Sequence, residues 1–444
     1  MRVLVANRGE IALRVLRACQ EMDIETVVAY SKADGHQHYL NLADDTVCIS
    51  ASSYLDIPTI VSAAKTHRCD AVHPGYGMLA ENPTFAGSLE DNGITLVGPC
   101  SEHIALMGDK VSARQAARDL GLNTIPGSSE KVCDLQSARS IASSFGYPLL
   151  LKAAFGGGGR GMRQVKDETD LERQFHEAAS EAQGSFGDGA LYIEKWFSDV
   201  RHVEVQILGD GKGHAIHLGT RDCSIQRQYQ KIIEEAPAPG IAPKLLDSIA
   251  ELCAGAAAKM KYRSAGTFEF LFTDDEFYFI EMNTRLQVEH PVTEVVTGVD
   301  LVKSQLKIAM AEALDIHQSE VSINGHAIEC RINAEKVDLQ TGTTTPSPGV
   351  VTELISPGGP GIRWDSHLTG RHLVPHQYDS LVAKLIGSGA SRDEAIVRTI
   401  RGLSETRIRG IDTNLELLSR ILVSPSYKVG NLSTEFISEM RKSL

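Results

Sequence analysis

Short apolar runs recur through the first 110 residues, at 3–6, 26–29, 70–73 and 95–97, with helix-patterned stretches such as 11–22 between them. This alternation predicts a parallel α/β sheet. Polar residues or glycine follow several of the runs: Asn7-Arg8-Gly9, His73-Pro74-Gly75-Tyr76-Gly77 and Gly98-Pro99. In such sheets ligands bind outside the carboxyl ends of the strands, so these loops are candidate site walls. The first of them carries a single glycine and no GxGxxG pattern, which argues against a dinucleotide cofactor.

The pattern changes from about 111 to 197, where a helix, a strand at 148–153, a glycine run and a strand at 191–194 predict a small mobile domain. Long period-two segments follow at 202–208 and 266–288, with a helix pattern at 243–260. A Thr/Pro/Ser-rich stretch at 341–349 reads as a surface connection, and a last α/β segment runs from 350 onward. At 444 residues the chain is too long for one ordinary core. The expected division is 1–110, 111–197, 198–330 and 331–444.

Composition narrows the function classes. Hydrophobic residues at 42% and charged residues at 23% are those of a globular protein, and no apolar run is long enough for a membrane span. The start has too short an apolar stretch for a signal peptide, so the expected location is cytoplasmic. Eight cysteines without a CxxC pair read as reduced thiols and not as a metal site. A formal charge of −13 with no basic stripe excludes a nucleic-acid partner, so any phosphate must be held locally.

The strongest local signal is Phe279-Ile-Glu-Met-Asn-Thr-Arg-Leu-Gln-Val-Glu289, in which Glu281, Asn283, Arg285, Gln287 and Glu289 take every second position. In one extended strand they would share a face. An alternating strand face is more often simply solvated, but here two further features point to a site. Glu269 lies one strand earlier, across a turn at 274–276, so a hairpin brings its carboxylate beside Glu281. Two carboxylates and an Asn oxygen suit Mg²⁺, a hard cation that shares nucleotide phosphates.

The second feature is Lys152 followed by Phe155-Gly156-Gly157-Gly158-Gly159-Arg160-Gly161. The glycines allow backbone N–H groups close to phosphate oxygens; equally, such a run can be a flexible linker. It is not a Walker A loop, because no GK[ST] ending follows. Between two strands it reads as a lid hairpin over a nucleotide. Glu194-Lys195-Trp196-Phe197 ends a strand at the domain junction, where a base can be gripped or the chain can simply hinge. His202 opens an alternating strand and could reach the nucleotide.

Taken together, Lys110 in MGDK, Lys152 with GGGGRGM, EKWF, RHVEVQ, QKIIEEAPAPG, GTFEFLF, IEMNTRLQVEHPVTE and ECRINAE resemble, in order and spacing, the motif series of the biotin carboxylases of the ATP-grasp superfamily. ANRGEIA, HPGYG, PSPG and YDSLVAKLI extend the resemblance over nearly the whole chain. It implies an N-terminal α/β domain, an ATP-grasp lid region and core, and a C-terminal domain in the order of the four segments above. It also implies the reaction: ATP phosphorylates bicarbonate, and the carboxyl group passes from carboxyphosphate to biotin, leaving ADP and phosphate. ATP would be held by Lys110, Lys152, Gly158, Gly159, Glu194, Lys195, Trp196, Phe197, His202, Tyr229, Glu269 and Glu281, with Glu269, Glu281 and Asn283 on Mg²⁺ or Mn²⁺. Bicarbonate would meet Lys231, Arg285, Gln287 and Val288, Glu289 would be the general base, and biotin would meet Arg331 and Tyr76.

Three departures from the family pattern stand out: Tyr229 where the family has His, Phe155 where a glycine is common, and TGTTT before PSPG. No Met-Lys-Met biotin attachment sequence occurs, so the resemblance implies a separate biotin carboxyl carrier protein and carboxyltransferase, with a homodimer as the family form. The acceptor implied is acetyl-CoA or another acyl-CoA, which would place the enzyme in fatty acid biosynthesis. Two other readings remain from the residues: a different ATP-grasp ligase, and a degenerate nucleotide-binding protein supported by Tyr229 and Phe155. Arg331 could also be a structural ion pair with Glu329 or Glu335.

Overall fold

The computed structural model describes residues 1–50, 53–128, 130–153 and 162–442. Five strands open the chain: β1 (Arg2–Val5), β2 (Glu25–Ser31), β3 (Asp45–Ser50), β4 (Ala71–His73) and β5 (Thr95–Leu96). They lie in the order β3-β2-β1-β4-β5, and every pairing is parallel. Four of the five match the apolar runs. The other, β3, escapes that reading because Asp45, Thr46, Cys48 and Ser50 dilute its apolar signal.

The strand order reverses between β1 and β4, which opens a crevice at their carboxyl ends. Asn7 spans it by donating from Nδ2 to the carbonyls of Pro74, at 2.6 Å, and Tyr76, at 2.8 Å. Gly75 passes so close, with φ +62°, that a Cβ there would lie 2.9 Å from Asn7 Nδ2. The two loops that the sequence marks as site walls are therefore locked side by side.

A three-stranded antiparallel sheet follows, β7-β6-β8, from β6 (Leu149–Ala153), β7 (Arg163–Val165) and β8 (Leu191–Lys195). The helix Glu168–Phe186 buries Leu171, Phe175, Ala178 and Ala182 against Leu149, Leu151 and Val165. The glycine run, with Phe155, Gly158 and Gly159, lies outside the described residues.

The largest sheet has eight strands, all joined antiparallel. Its members are β9 (Arg201–Asp210), β10 (Ala215–Arg227), β11 (Gln230–Ala236), β12 (Arg263–Thr273), β13 (Glu276–Asn283), β14 (His326–Asn333) and the strands Ile362–Ser366 and Leu381–Gly389. The order is β13-β12-β9-β10-β11-β14, then Leu381–Gly389 and Ile362–Ser366. The boundary expected between 330 and 331 falls inside β14, so one sheet is continuous across the third and fourth segments. The helix Pro243–Lys259 covers part of this sheet with Ile249, Cys253 and Ala257.

One expectation is corrected. The polar ridge from Glu281 to Glu289 is not a single strand: β13 ends at Asn283, and Glu289 stands immediately before the helix His290–Thr297. Since β13 is an edge strand, nothing obliges it to continue. Glu81 draws the chain away by accepting from the Thr284 backbone N–H and from Arg285 Nε, both at 2.9 Å. Pro291, in the first turn of the following helix, has no N–H to give to a ladder.

Candidate active site

A cleft of about 780 Å³ lies between the crevice loops, the β7-β6-β8 sheet and the large sheet. Its wall includes every described residue expected to touch a substrate except Glu289, which lies fully buried just behind it. The volume is in the range of a cofactor site.

At the nucleotide end, Glu194 is buried between two cations, Lys152 Nζ at 2.5 Å and Arg114 Nη1 at 2.8 Å. Burial alone would raise its carboxyl, but Lys152 and Arg114 outweigh this and hold it below the usual range. Lys195 turns its side chain away, donating to the carbonyls of Phe145 (3.2 Å) and Tyr147 (3.3 Å), while its backbone N–H donates to the Pro126 carbonyl at 2.8 Å. Phe197 stacks on Tyr278 at 4.9 Å. Lys110 begins the helix Lys110–Asp119, and burial together with Lys152 lowers its pKa. Tyr229 sits at the tip of the β10–β11 hairpin with φ +64° and is 61% exposed, so its phenol projects and is not packed.

Gly127 holds the Glu194 strand in place through the bridge Gly127–Glu194, and a Cβ on it would come 2.4 Å from the Ile193 carbonyl oxygen. We expect Gly127→Ala to displace Glu194, raise the KM for ATP severalfold and cost about 1–3 kcal/mol of stability, the usual range for overpacking. Denaturant melts and ATP titration of the variant check both numbers.

The centre of the site is an ion cluster on β9, β11 and β12. Lys231 Nζ donates to Glu269 Oε1 at 2.9 Å and to Glu289 Oε1 at 2.8 Å, and it also contacts Glu204. His202 Nε2 lies 3.1 Å from Glu269 and 3.3 Å from Glu204. Burial would lower the imidazole, yet Glu269 and Glu204 prevail and push it up to about 9, so it is cationic at neutral pH. Beneath them Arg221 is fully buried and bonds Glu204 (3.0 Å), Gln206 (2.8 Å), Thr293 (3.0 Å) and Thr267 (3.1 Å). A guanidinium with four fixed acceptors is a rigid floor for the site.

Glu269 and Glu281 face each other across β12 and β13 through a one-residue register shift between Glu269 and Phe270, and the turn at Asp274 and Asp275 has φ of +50° and +58°. Asn283 Nδ2 donates to Glu269 at 2.7 Å, while its oxygen accepts from Arg285 at 2.8 Å. Glu281 opens to solvent in the cleft, yet desolvation by the surrounding protein and the facing Glu269 carboxylate raise its carboxyl. Two opposed carboxylates and an amide oxygen at the cleft are a hard-oxygen set that a divalent cation would stabilise. The neighbouring trio His202, Glu204 and Glu269 also brings its ligand atoms within 4.8 Å. There, however, His202, Lys231 and Arg221 already balance the charge.

Despite the broken strand, the anion residues converge. Arg285 Nη1 donates to Gln287 Oε1 at 2.7 Å, and Gln287 Nε2 donates to Glu269 at 2.8 Å. The Val288 carbonyl accepts from the fully buried Lys384 at 2.8 Å. Arg331 donates from Nη2 to Glu289 Oε2 at 2.9 Å and from Nε to Glu234. Its partners are therefore Glu289 and Glu234; Glu335 pairs with Arg227 instead, at 2.7 Å. The chain turns out of β13 and into the helix His290–Thr297, which brings Glu289 back to within reach of both cations. Tyr76 donates to Glu10, which in turn meets Lys384 at 3.0 Å.

Three family models match in sequence along the chain: the biotin carboxylase N-terminal domain over 1–104, the carbamoyl-phosphate synthase L chain ATP-binding domain over 109–317, and the biotin carboxylase C-terminal domain over 329–439. The biotin carboxylase of Pseudomonas aeruginosa is 51% identical over 99% of this chain and 98% of its own length. That of Haemophilus influenzae is 49% identical with the same coverage. The chain belongs to the biotin carboxylase family. Its activity is the ATP- and bicarbonate-dependent carboxylation of biotin, an ADP-forming ligation that uses Mg²⁺. Among solved structures, the Hydrogenobacter thermophilus 2-oxoglutarate carboxylase biotin carboxylase domain dimer, in complex with MgADP, ADP and bicarbonate, superposes with a TM-score of 0.94 at 43% identity, covering 99% of this chain and 97% of that one. The Campylobacter jejuni biotin carboxylase complex gives the same TM-score and identity over 99% and 98%.

Sequence reasoning missed Glu81, Glu204, Arg221, Arg114, Lys384 and Glu234. Glu204 was visible on the polar face of an alternating strand with His202 and Gln206 but was given no role, and Glu234, beside Glu235, lies in a stretch with no alternation. Glu81, by contrast, carries no local pattern and acts only through the fold.

Proposed function

We propose that the cleft divides the carboxylation of biotin among the residues named above. ATP is bound by Lys110, Lys152, Glu194, the backbone of 195–197, His202 and Tyr229, together with Gly158 and Gly159. Glu269, Glu281 and Asn283 hold the metal, which supplies charge neutralisation of the phosphates when bound. Bicarbonate lies against Lys231, Arg285, Gln287 and the Val288 backbone, and Glu289 removes its proton as its oxygen attacks the γ-phosphate. Arg331 and Tyr76 receive biotin, where a permanent guanidinium charge meets the ureido oxygen.

The observation that carries this reading is the Lys231–Glu289–Arg331 chain, which sets one ionised base between an anion-facing cation and a biotin-facing one. Burial would raise the Glu289 carboxyl, but Lys231 and Arg331 hold it down, so it enters the reaction as a carboxylate. A small pocket with its own base suits bicarbonate better than the amine of another ligase.

The wider assignment is a homodimer working with a separate biotin carboxyl carrier protein and carboxyltransferase, in the cytoplasm. Eight cysteines without a CxxC pair and a charge of −13 are consistent with a reducing compartment and no nucleic-acid partner. Among the described residues no helix is long and apolar enough to cross a membrane. The four segments 1–110, 111–197, 198–330 and 331–444 are proposed as functional units. The acceptor is proposed to be an acyl-CoA, acetyl-CoA first. This carries over from the family resemblance alone, since relatives named biotin carboxylase, at 43–51% identity, bracket the 45% of a pyruvate carboxylase subunit of Methanothermobacter thermautotrophicus. The test is ADP release with and without bicarbonate, free biotin or biotinylated carrier, then transfer to acetyl-CoA or pyruvate by a supplied carboxyltransferase. Carrier stimulation and acetyl-CoA turnover are expected; transfer to pyruvate alone would remove the acyl-CoA assignment.

A further inference from the structure

Behind the cleft lies a pair of carboxyl groups with no part in the scheme above. Glu234 on β11 and Glu329 on β14 stand directly opposite each other in the antiparallel register. Both are fully buried. Glu234 Oε1 accepts from Arg331 Nε, but its Oε2 and both oxygens of Glu329 have no hydrogen-bond partner among the described residues. Side chains paired this way have Cβ atoms about 4.5–5.5 Å apart, so two ionised carboxylates here would repel strongly without water to screen them.

The charged and titratable groups around the pair do not supply a second counter-ion. On the neighbouring strand Lys384 is committed to Glu10, at 3.0 Å, and to the Val288 carbonyl, at 2.8 Å. Lys231, on β11, is taken by Glu204, Glu269 and Glu289. From the helix that packs on β14, Glu289 already holds Arg331 and Lys231, His290 donates to the Gln287 carbonyl at 2.7 Å, and Glu294 is paired with Arg14 and Arg363. Lys384 also acts on Glu329 and Lys231 on Glu234, but each is shared with other carboxylates, and Arg331 is the one cation among the described residues that hydrogen-bonds the pair.

We propose that Glu234 and Glu329 form a single positioning unit for Arg331, in which neutral Glu329 donates a hydrogen bond to ionised Glu234 and Glu234 anchors the guanidinium. The proposal rests on the reading of Arg331 as the biotin-facing cation. Burial pushes Glu329 well above the carboxylate range despite the opposing charge of Lys384, with Glu234 adding to the rise, and burial raises Glu234 to about 7 against the pull of Arg331. The consequence for the reaction is an asymmetry between the two carboxylates on Arg331. When Glu289 accepts the bicarbonate proton its grip on Arg331 weakens, whereas Glu234 does not titrate in that step and keeps the guanidinium in place for biotin.

The test measures kcat/KM for biotin from pH 6 to 9 at saturating ATP and bicarbonate, as the ratio of variant to wild type so that solution ionisations cancel. Glu329→Met removes the donor, so Glu234 should ionise only at higher pH. The expected ratio falls about tenfold near pH 6.5, equivalent to one pKa unit, and recovers toward pH 9. In Glu329→Gln the amide supplies the missing donor, and the profile should return toward that of the wild type. A flat ratio for Glu329→Met, or equal losses in both variants, overturns the proposal. If Glu329→Met does not fold, Glu234→Gln serves: it should lose biotin kcat/KM while keeping biotin-free, bicarbonate-dependent ATP cleavage, and equal loss of both rejects the unit. Arg331→Met separates the two levels. If that variant keeps its biotin kcat/KM, the Arg331 reading fails and the unit with it, whereas an impaired Arg331→Met with a flat Glu329→Met ratio rejects the unit alone.

Discussion

Glu289→Gln should abolish bicarbonate-dependent ATP cleavage, with kcat falling by ~10²–10⁴, the range for losing a positioned general base. The carboxylate accepts from Lys231 through one oxygen and from Arg331 through the other. A glutamine retains the shape but has one acceptor where two are needed. Its NH₂ must face one of the two cations, so Arg331 or Lys231 also loses its partner. Biotin transfer should therefore fall along with phosphorylation of bicarbonate. ATP binding should survive, because Glu194, Lys152 and Arg114 form a separate ion group at the far end of the cleft. ADP release assayed with and without bicarbonate, beside calorimetric titration with ATP, separates these effects. A loss smaller than about tenfold, or ~1.4 kcal/mol of barrier, would mean that another group takes the proton.

This site was legible in the sequence to the extent that its residues lie close together along the chain. Glu269 and Glu281 could be brought together because one hairpin joins their strands, but the two-residue turn alone would set Glu269 against Ile280, and the register shift between Glu269 and Phe270 places Glu281 opposite it instead. The loops after β1 and β4 could be nominated because a parallel sheet gathers its loops at one edge. The single polar strand from Glu281 to Glu289 could not survive, because its end is set by Glu81, two hundred residues away in sequence. Periodicity cannot see such a contact. For the same reason Arg331 could be named but its partners could not: Glu234 and Glu289 reach it only once β14 lies beside β11 and the helix His290–Thr297 packs over them. Arg221 was passed over because a charged residue in a buried strand has meaning only when its four acceptors are known.

Lys231→Met should damage stability and activity together, and the stability loss has a pH signature. Lys231 is the cation common to Glu204, Glu269 and Glu289, so its removal leaves buried carboxylates short of one counter-charge. Breaking a buried ion pair from one side costs about 3–5 kcal/mol. Burial would raise the Glu204 carboxyl, but Lys231 and Arg221 hold it down to about 2, and Glu269 is likewise held well below 4.5 by Lys231 and His202. A carboxyl depressed in the folded state stabilises the protein above its unfolded pKa, and that contribution is lost as pH falls toward the folded value. Without Lys231 these carboxyls move upward, so the penalty is full at pH 7 and shrinks as pH drops below about 4.5, the unfolded carboxyl value. On the alkaline side the Lys231 contribution is complete below 10.5, its unfolded value, since its folded pKa is raised above that by the three glutamates. Variant and wild type should therefore differ most between about pH 5 and pH 10, and urea melts at pH 4, 7 and 9 measure the difference directly. Equal destabilisation at pH 4 and pH 7 would point to lost packing of the lysine stem in place of charge. Catalytically, bicarbonate loses a cation that faces it. The KM for bicarbonate should rise and kcat should fall by ~10²–10³, the scale of one missing electrostatic donor.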